Sequence, residues 1–222
     1  MDSDPAQEPR TDTRLSQRII DAAIDLAEQG SWEIVRLHAV AARLGVSLDE
    51  IRGVFREKED IVEAFFDRAD EAMLHAAEAP GFLDLPTRVR LHRVIMAWLE
   101  ALAPHRRVTR QMIGGKLEPG HLHIQIPGLL RISRTVQWMR EAAYRDASYL
   151  RRALEEVATT SIYLATFCYW MGDGSPDSAD TRRFLDRLLG IAEGASHAVF
   201  GPGAHSHTAL PGNRAPRPPM EI

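Results

Sequence analysis

The chain of 222 residues contains a single cysteine, Cys168, and therefore cannot form an internal disulfide. No apolar run approaches the roughly 20 residues that a membrane-spanning helix needs. The N-terminal stretch MDSDPAQEPRTDTR is polar and acidic, which does not fit a secretory signal. The formal net charge of -4 gives no overall attraction to nucleic acid. Cys168 lies in an apolar helical stretch, so we expect a buried, inert thiol and a cytoplasmic protein.

Motifs for catalysis and metal binding are also missing. The sequence has no glycine-rich phosphate loop, no H-E-x-x-H pair, no nucleophile elbow and no C-x-x-C. His121 and His123 lie in a loop rich in glycine and proline, without a carboxylate or cysteine at metal-ligand spacing. His205 and His207 lie in the C-terminal tail, where an unstructured pair is the simpler interpretation. We expect neither an enzyme nor a bound metal or cofactor.

Helix-forming residues dominate the remaining sequence, and no long alternating run of valine, threonine and isoleucine occurs. The composition therefore predicts an all-α protein. Residues 1–11 and the Pro/Gly-rich residues 201–222 are expected to be disordered. Between them, the stretch APGFLDLP separates a small N-terminal domain, residues 12–79, from a larger helical domain, residues 85–200.

The N-terminal domain has the pattern of a helix-turn-helix. Thr13 is predicted to cap a first helix that ends at Gly30, with one apolar face. Helices are then predicted over Leu37–Leu44 and Leu48–Val54, joined at Gly45, which accepts a left-handed backbone conformation. Ser47 followed by Glu50 predicts a capping box at the start of the third helix. A fourth helix is predicted to run from about Lys58 to Ala79.

The larger domain is predicted to contain helices over residues 87–103, 106–113, 129–144, 148–171 and 178–199. The last two each carry two adjacent apolar stripes, whereas one stripe is enough to pack on a single core. We therefore predict a homodimer in which these two helices form a four-helix bundle with their copies. The alternative is that both stripes are buried within one chain.

Large and adaptable side chains recur in the larger domain. Such residues either line an apolar ligand pocket or fill a core. The candidate pocket residues are Trp98, Met112, Trp138, Tyr163, Phe167 and Trp170. A basic cluster also occurs there, which would suit an anionic head group or an acidic partner, or forms ordinary solvated helix faces. Its members are Arg88, Arg90, Arg93, Arg106, Arg107 and Arg110.

The sequences IIDAAIDLAEQG and VAARLGVS, together with Phe55 and Lys58-Glu59, resemble the TetR family of bacterial repressors. This resemblance implies a TetR-like all-α fold, a dimer bound to operator DNA and an apolar ligand in the larger domain. It places Ser47 at the start of the recognition helix and Lys58 against a phosphate. Arg52 and Arg56 complete the candidate DNA-binding residues. The family implies a regulator that responds to its ligand.

The recognition helix departs from the family pattern in charge. The segment from Val46 to Asp60 contains the bases Arg52, Arg56 and Lys58 and the acids Asp49, Glu50, Glu57, Glu59 and Asp60. Since phosphate neutralisation supplies non-specific affinity, a net negative face weakens it. Acidic side chains can nevertheless accept a hydrogen bond from the amino group of cytosine.

A second resemblance concerns the C-terminal hairpin. The motif S-P-D-x-x-D-T-x-x-F-L-x-R, from Ser175 to Arg187, is similar to the ubiquinone-biosynthesis accessory family. That family has the TetR fold, binds lipids or isoprenoids and does not need DNA. Two functions therefore remain open, a ligand-responsive DNA-binding regulator and a DNA-independent lipid-binding accessory protein.

Overall fold

A computed structural model describes residues 8–114, 135–139, 141, 143 and 149–201 of the chain. Its helices are α1 (Glu8–Gln29), α2 (Leu37–Leu44), α3 (Leu48–Val54), α4 (Lys58–Ala77), α5 (Thr87–Leu102), α6 (Arg106–Gly114), α7 (Tyr149–Gly172) and α8 (Ala179–Phe200). Residues 135–139 are also helical, and short 3-10 turns cover Trp32–Ile34, Phe82–Asp84, Ala103–His105 and Pro176–Ser178. No strand occurs in these ranges, and the all-α prediction is confirmed.

Most predicted helix ends lie within two residues of the observed ones, but the start of α1 was predicted wrongly. The helix begins at Glu8, inside the expected leader, so Thr13 is a residue of the helix and does not cap it. Gly114 is helical and is the last residue described in α6, so the loop predicted over residues 114–128 does not begin there. The histidines 121, 123, 205 and 207 lie outside the described residues, as does most of the helix predicted over 129–144.

The N-terminal helices pack around one apolar core. Ile19, Ala23 and Ala27 of α1 are fully buried, as the three- and four-residue spacing predicted. Val40 of α2 and Ile51 of α3 close this core from the other side. Burial of a valine or isoleucine side chain such as Val40 or Ile51 contributes about 1.5–3 kcal/mol, so α2 and α3 are held mainly by burial.

The turn between α2 and α3 has the predicted geometry. Gly45 has φ 67° and ψ 32°, a left-handed conformation that an L side chain rarely adopts. Ser47 Oγ accepts a hydrogen bond from the Glu50 backbone N–H at 3.2 Å, and the Glu50 carboxylate accepts one from the Ser47 N–H at 2.8 Å. This reciprocal capping box confirms the one predicted for α3.

Helix α4 belongs to both halves of the molecule. Its residues Ile61 and Phe65 are buried, and Arg68 ties it to α1 through an ion pair with Asp21 at 2.7 Å. Phe66 and Asp70 of the same helix are buried in the larger helical domain, where α4 packs most extensively against α5. A change in the position of α4 must therefore move both halves.

Helix α6 makes a second connection between the two halves. Gln111 Oε1 accepts a hydrogen bond from the Trp32 N–H at 2.8 Å, and Arg107 donates to Gly30 O at 3.0 Å and pairs with Glu28. Arg110, one turn after Arg107, donates to Met171 O at 3.2 Å, at the end of α7. Polar contacts of α6 thus join the end of α1 to the end of α7.

The turn between α7 and α8 is built around the buried carboxylate of Asp173. It accepts hydrogen bonds from the Ser175 N–H at 2.8 Å, the Thr181 N–H at 2.9 Å and the Thr181 hydroxyl at 2.6 Å. Arg106 donates to Asp173 O and to Ser178 Oγ, and its guanidinium lies 4.5 Å from the centre of the Trp170 ring. These contacts give the Ser175–Arg187 motif a structural role, since Ser175 and Thr181 hold the turn closed.

The apolar stripes of α7 and α8 separate into an inner and an outer set. Tyr163, Phe167 and Trp170 of α7 are buried inside the chain, as are Leu185 and Leu189 of α8. The outer set comprises the exposed residues Val157, Ser161, Cys168, Ile191 and Ala195 and the partly buried Leu164, Phe184 and Leu188. One stripe of each helix therefore packs in the core, and the other lies on the surface of the chain. Cys168 belongs to the outer stripe, so the prediction of a buried thiol was wrong.

The role of Asp173 gives a prediction about stability and its pH dependence. Burial alone would raise the pKa of Asp173, but the hydrogen bonds from Ser175 and Thr181 lower it well below its ordinary value. Its contribution to folding is therefore complete above the unfolded-state pKa of about 3.9 and is lost as the pH falls below that value. We expect Asp173→Asn to reduce the free energy of unfolding near neutral pH by about 1–3 kcal/mol. Urea unfolding followed by circular dichroism measures this.

Asp177→Asn is the matched control. Asp177 is exposed in the same turn and has φ 51°, which asparagine tolerates well. We expect Asp177→Asn to leave stability unchanged. Asp173→Asn should also flatten the loss of stability between about pH 5 and pH 3. Equal effects of the two substitutions would contradict the assigned role of Asp173.

Candidate nucleic-acid interface and aromatic core

The candidate recognition helix α3 presents acids and one weakly paired base to solvent. Arg52 lies 3.7 Å from Asp49, and both side chains are largely exposed, at 79% and 92%. An exposed pair of this kind contributes little energy and leaves Arg52 able to exchange partners. Leu48, at the start of α3, is half exposed. The surface of α3 thus combines one arginine, one leucine and carboxylates.

Ser47 and Glu50 are occupied by each other in the capping box. The Ser47 hydroxyl also donates to the Glu50 carboxylate at 2.8 Å. The hydrogen bonds from Ser47 lower the pKa of Glu50, so Glu50 stays ionised. A negative charge at the N-terminus of a helix interacts favourably with the helix dipole. The Glu50 carboxylate therefore occupies the position where a phosphate would bind.

Lys58 is at the N-terminus of α4, as predicted, but its ammonium group contacts its own chain. Nζ donates to Trp32 O at 2.5 Å and lies 3.4 Å from Glu33 O and 4.6 Å from the centre of the Trp32 ring. Burial lowers the pKa of Lys58, and the nearby Arg36 lowers it further, against the opposing effect of Glu59 and Glu33. To reach a phosphate, Lys58 must first leave these contacts.

The N-terminus of α4 is capped by a carboxylate of the chain. Asp60 accepts hydrogen bonds from the N–H groups of Arg56 at 2.8 Å and Glu57 at 3.1 Å. Asp60 thereby takes up backbone donors that are usually available to an anion at a helix N-terminus. The Arg56 side chain is exposed and makes no hydrogen bond or ion pair to any described residue, which leaves it free for an external phosphate.

The start of α2 has no side-chain cap. Arg36 occupies the N-cap and makes no side-chain cap hydrogen bond. It instead donates to Glu33 O at 2.7 Å and Val35 O at 3.2 Å. Together with Lys58, Arg36 therefore secures the turn at Trp32–Ile34, and both cations serve the internal structure of the domain.

Four of the six candidate pocket residues meet in one buried aromatic cluster. Trp98 packs edge-on against Tyr163 and Phe167, with ring centres 5.4 and 5.6 Å apart. Phe167 stacks on both Tyr163 and Trp170, at 6.2 and 5.9 Å. Met112 is buried on α6. Trp138 is 47% exposed and makes no ring contact with these four residues, so it lies apart from the cluster.

A buried carboxylate, Asp70, lies beside this cluster and was not singled out from the sequence. The Trp98 indole N–H donates to Asp70 Oδ1 at 2.7 Å, and the Thr135 hydroxyl donates to the same oxygen at 3.1 Å. Phe66 stacks on Trp98 at 5.9 Å, one turn before Asp70 on α4. The available signal was a carboxylate four residues after Phe66 on an apolar helix face.

The aromatic cluster contains one buried donor without a partner. The Trp170 indole nitrogen is fully buried and has no hydrogen-bond acceptor among the described residues. Such an unsatisfied donor costs about 1–3 kcal/mol. A carbonyl oxygen from a bound molecule would remove that cost, which makes Trp170 the most informative member of the predicted pocket.

The predicted basic cluster is divided among internal partners. Arg88 pairs with Asp186 at 2.8 Å, while Arg106, Arg107 and Arg110 make the contacts described above. Hydrogen bonding to Asp186 raises the pKa of Arg88. Arg93 differs, because it is exposed and makes no ion pair or hydrogen bond with any part of the chain that the structure describes.

No metal-ligand cluster of three or more histidine, cysteine or acidic residues occurs in the described ranges. Within the same ranges, each helix is too short or too polar to traverse a bilayer.

A solved structure from Nitrosomonas europaea ATCC 19718, described as a TetR transcriptional regulator, shares 54% sequence identity with this chain. The match covers 81% of this chain and 98% of that one, with a TM-score of 0.73. A TetR transcriptional regulator from Rhodococcus sp. RHA1 is 20% identical, over 82% of this chain and 97% of that one, with a TM-score of 0.59. The latter likeness shows the fold alone. The chain belongs to the TetR family, as its helix-turn-helix sequence predicted.

The sequence model of the COQ9 family also matches, over residues 146–193. That range contains the Ser175–Arg187 motif on which the second resemblance was based. No curated protein gives a significant match to the chain. The similarity to the TetR family thus extends over most of the chain, and the similarity to the COQ9 family is confined to the C-terminal hairpin.

Proposed function

We propose that the protein is a dimeric DNA-binding regulator whose larger helical domain binds an apolar ligand. The observation that carries the proposal is the intact helix-turn-helix, with its left-handed Gly45 and capped α3, in a chain 54% identical to a protein described as a transcriptional regulator. In such an arrangement, α3 of each protomer enters a major groove. Arg52 and Arg56 are the phosphate or base contacts that remain most accessible.

The charge distribution defines what kind of DNA binding this surface supports. With carboxylates on α3 and Lys58 engaged by Trp32, few cations neutralise phosphates, so non-specific affinity is low. Contacts with bases must then supply most of the preference for the operator over other DNA. The proposed acceptor of a hydrogen bond from a cytosine amino group is the carboxylate of Asp49. The regulator thus depends on base contacts more than on phosphate contacts.

The ligand is proposed to bind at the aromatic cluster. Trp98, Tyr163, Phe167 and Trp170 provide flat apolar surface, and the unsatisfied indole N–H of Trp170 favours a molecule with a carbonyl acceptor. Arg106 contacts both the Trp170 ring and the turn before α8. A ligand that displaces Trp170 would therefore shift α6, whose neighbouring residue Arg107 contacts the end of α1.

A second candidate function is a DNA-independent lipid-binding accessory protein. Two specific observations favour it, the acidic surface of α3 and the COQ9 match over the C-terminal hairpin. In this alternative the helix-turn-helix is a structural domain, and the aromatic cluster holds an isoprenoid or acyl chain. Recovery of a co-purified lipid by native mass spectrometry, together with no DNA binding, would favour it over the regulator.

DNA binding separates the two candidates. Fluorescence anisotropy against DNA from upstream of the protein's own coding sequence should give a specific dissociation constant of about 10⁻⁸ M or tighter, with an affinity that falls as salt rises. We expect Arg52→Ala and Arg56→Ala each to weaken binding by about tenfold, because each removes an exposed cation from the docking face. Arg183→Gln, on α8, is the control with the same charge change and should bind normally. Absence of binding at low salt would contradict the regulator.

The proposed dimer uses the outer stripe of α7 and α8. Ile191 is 69% exposed in the protomer and lies among small and apolar residues of α8, which suits a helix–helix interface. We expect Ile191→Asp to convert the dimer to a monomer at micromolar concentration, because the partner helix would bury the new carboxylate. Sedimentation velocity measures this.

Ile34→Asp is the control for the dimer, since Ile34 is 65% exposed but lies in the N-terminal domain. The Ile34→Asp protein should remain dimeric. A monomeric wild-type protein, or a dimer that tolerates Ile191→Asp, would reject the proposed interface without affecting the family assignment.

A further inference from the structure

A cleft of about 560 Å³ lies between the end of α4, the length of α5 and the start of α8, away from the aromatic cluster. Its walls mix apolar side chains with a few charged ones. They are formed by Ala76, Leu85, Val89, Met96 and Ala97, and by His92, Arg93, Glu100 and Arg182. A second cleft of about 480 Å³ adjoins it and shares Ala76 and Arg93. The two clefts therefore meet at Arg93.

The charges in the first cleft leave one cation uncompensated. Arg182 and Glu100 form an ion pair across the wall, and the Arg182 backbone carbonyl lies 3.3 Å from His92 Nε2. In the adjoining cleft Glu78 lies 3.2 Å from His75. Arg93, in contrast, has no partner among the residues that the structure describes. An arginine with five free donors in such a place favours a carboxylate or phosphate.

The apolar part of the cleft is also incompletely covered. Val89 is 44% exposed at the rim, and the buried Met96 lines the same cleft. Volumes of this size match those of small-molecule sites, which are commonly apolar with a few polar groups that orient the ligand. The combination of an apolar wall and one free guanidinium indicates a ligand with an apolar part and an anionic group.

We propose that this cleft binds a single-chain amphiphile, with the alkyl chain along Leu85, Val89 and Met96 and the anionic head group on Arg93. The site is separate from the aromatic cluster and from α3, so it does not depend on whether the protein binds DNA. An amphiphile seated there contacts α4, α5 and α8 together, and it bridges the helix shared with the N-terminal domain to the C-terminal hairpin.

Isothermal titration calorimetry with decanoate, decyl phosphate and the uncharged decanol tests the proposal. The wild-type protein should bind at least one of the two anions, and should bind it at least about tenfold more tightly than decanol. Arg93→Gln should remove that advantage, whereas Arg93→Lys should retain part of it. Which anion binds more tightly distinguishes a carboxylate head group from a phosphate.

Two further variants keep the test specific. Arg14→Gln changes the same charge at an exposed position of α1 that lines neither cleft, and it should bind decanoate as the wild type does. Val89→Asp places a carboxylate at the exposed rim and should weaken binding of both anions by repulsion. Equal affinity for the anions and decanol in the wild type, no binding of either anion, or unchanged anion binding in either Arg93→Gln or Val89→Asp would overturn the proposal.

Discussion

The hydrogen bond from the Trp98 indole to the buried Asp70 carboxylate holds α5 against α4, the helix that the N-terminal and larger helical domains share. A carboxylate in an apolar interior is tolerated only when its hydrogen bonds are made, so Asp70 fixes α4 against α5 at one position. Thr135 adds a second donor to the same oxygen. Because α4 continues into the core of the N-terminal domain, this one position also sets where α3 lies.

The polar contacts of α6 complete that connection and relate it to function. Arg106 contacts the turn before α8, and Arg107 contacts the end of α1, so neighbouring side chains of α6 reach both halves of the chain. A regulator needs such a connection to convert a change in the ligand site into a change in the spacing of two recognition helices. A lipid-binding accessory protein needs only the aromatic cluster. In that case the acidic surface of α3 does not affect function, because no DNA is bound.

The sequence predicted the local structure well and the long-range polar contacts poorly. Gly45 and the Ser47–Glu50 capping box depend on neighbours within a few residues, and both were predicted correctly. The helical spacing of α7 placed Tyr163, Phe167 and Trp170 on one face, and they pack together. Asp70, and the inward position of the Lys58 ammonium, depend on partners more than 20 residues away, which periodicity does not reveal. Arg106 was predicted only as part of a surface cluster for the same reason.

We infer that the N-terminal and larger helical domains form one cooperative unit joined through α4. Amide hydrogen exchange of the Trp98→Phe protein tests it most directly, with Trp138→Phe as the control at an exposed tryptophan. Removal of the Trp98 donor should reduce protection in α5 and, to a similar extent, in α2 and α3, which Trp98 does not contact. The control should leave protection unchanged. Loss of protection confined to the larger domain, with α2 and α3 unaffected, would contradict the account.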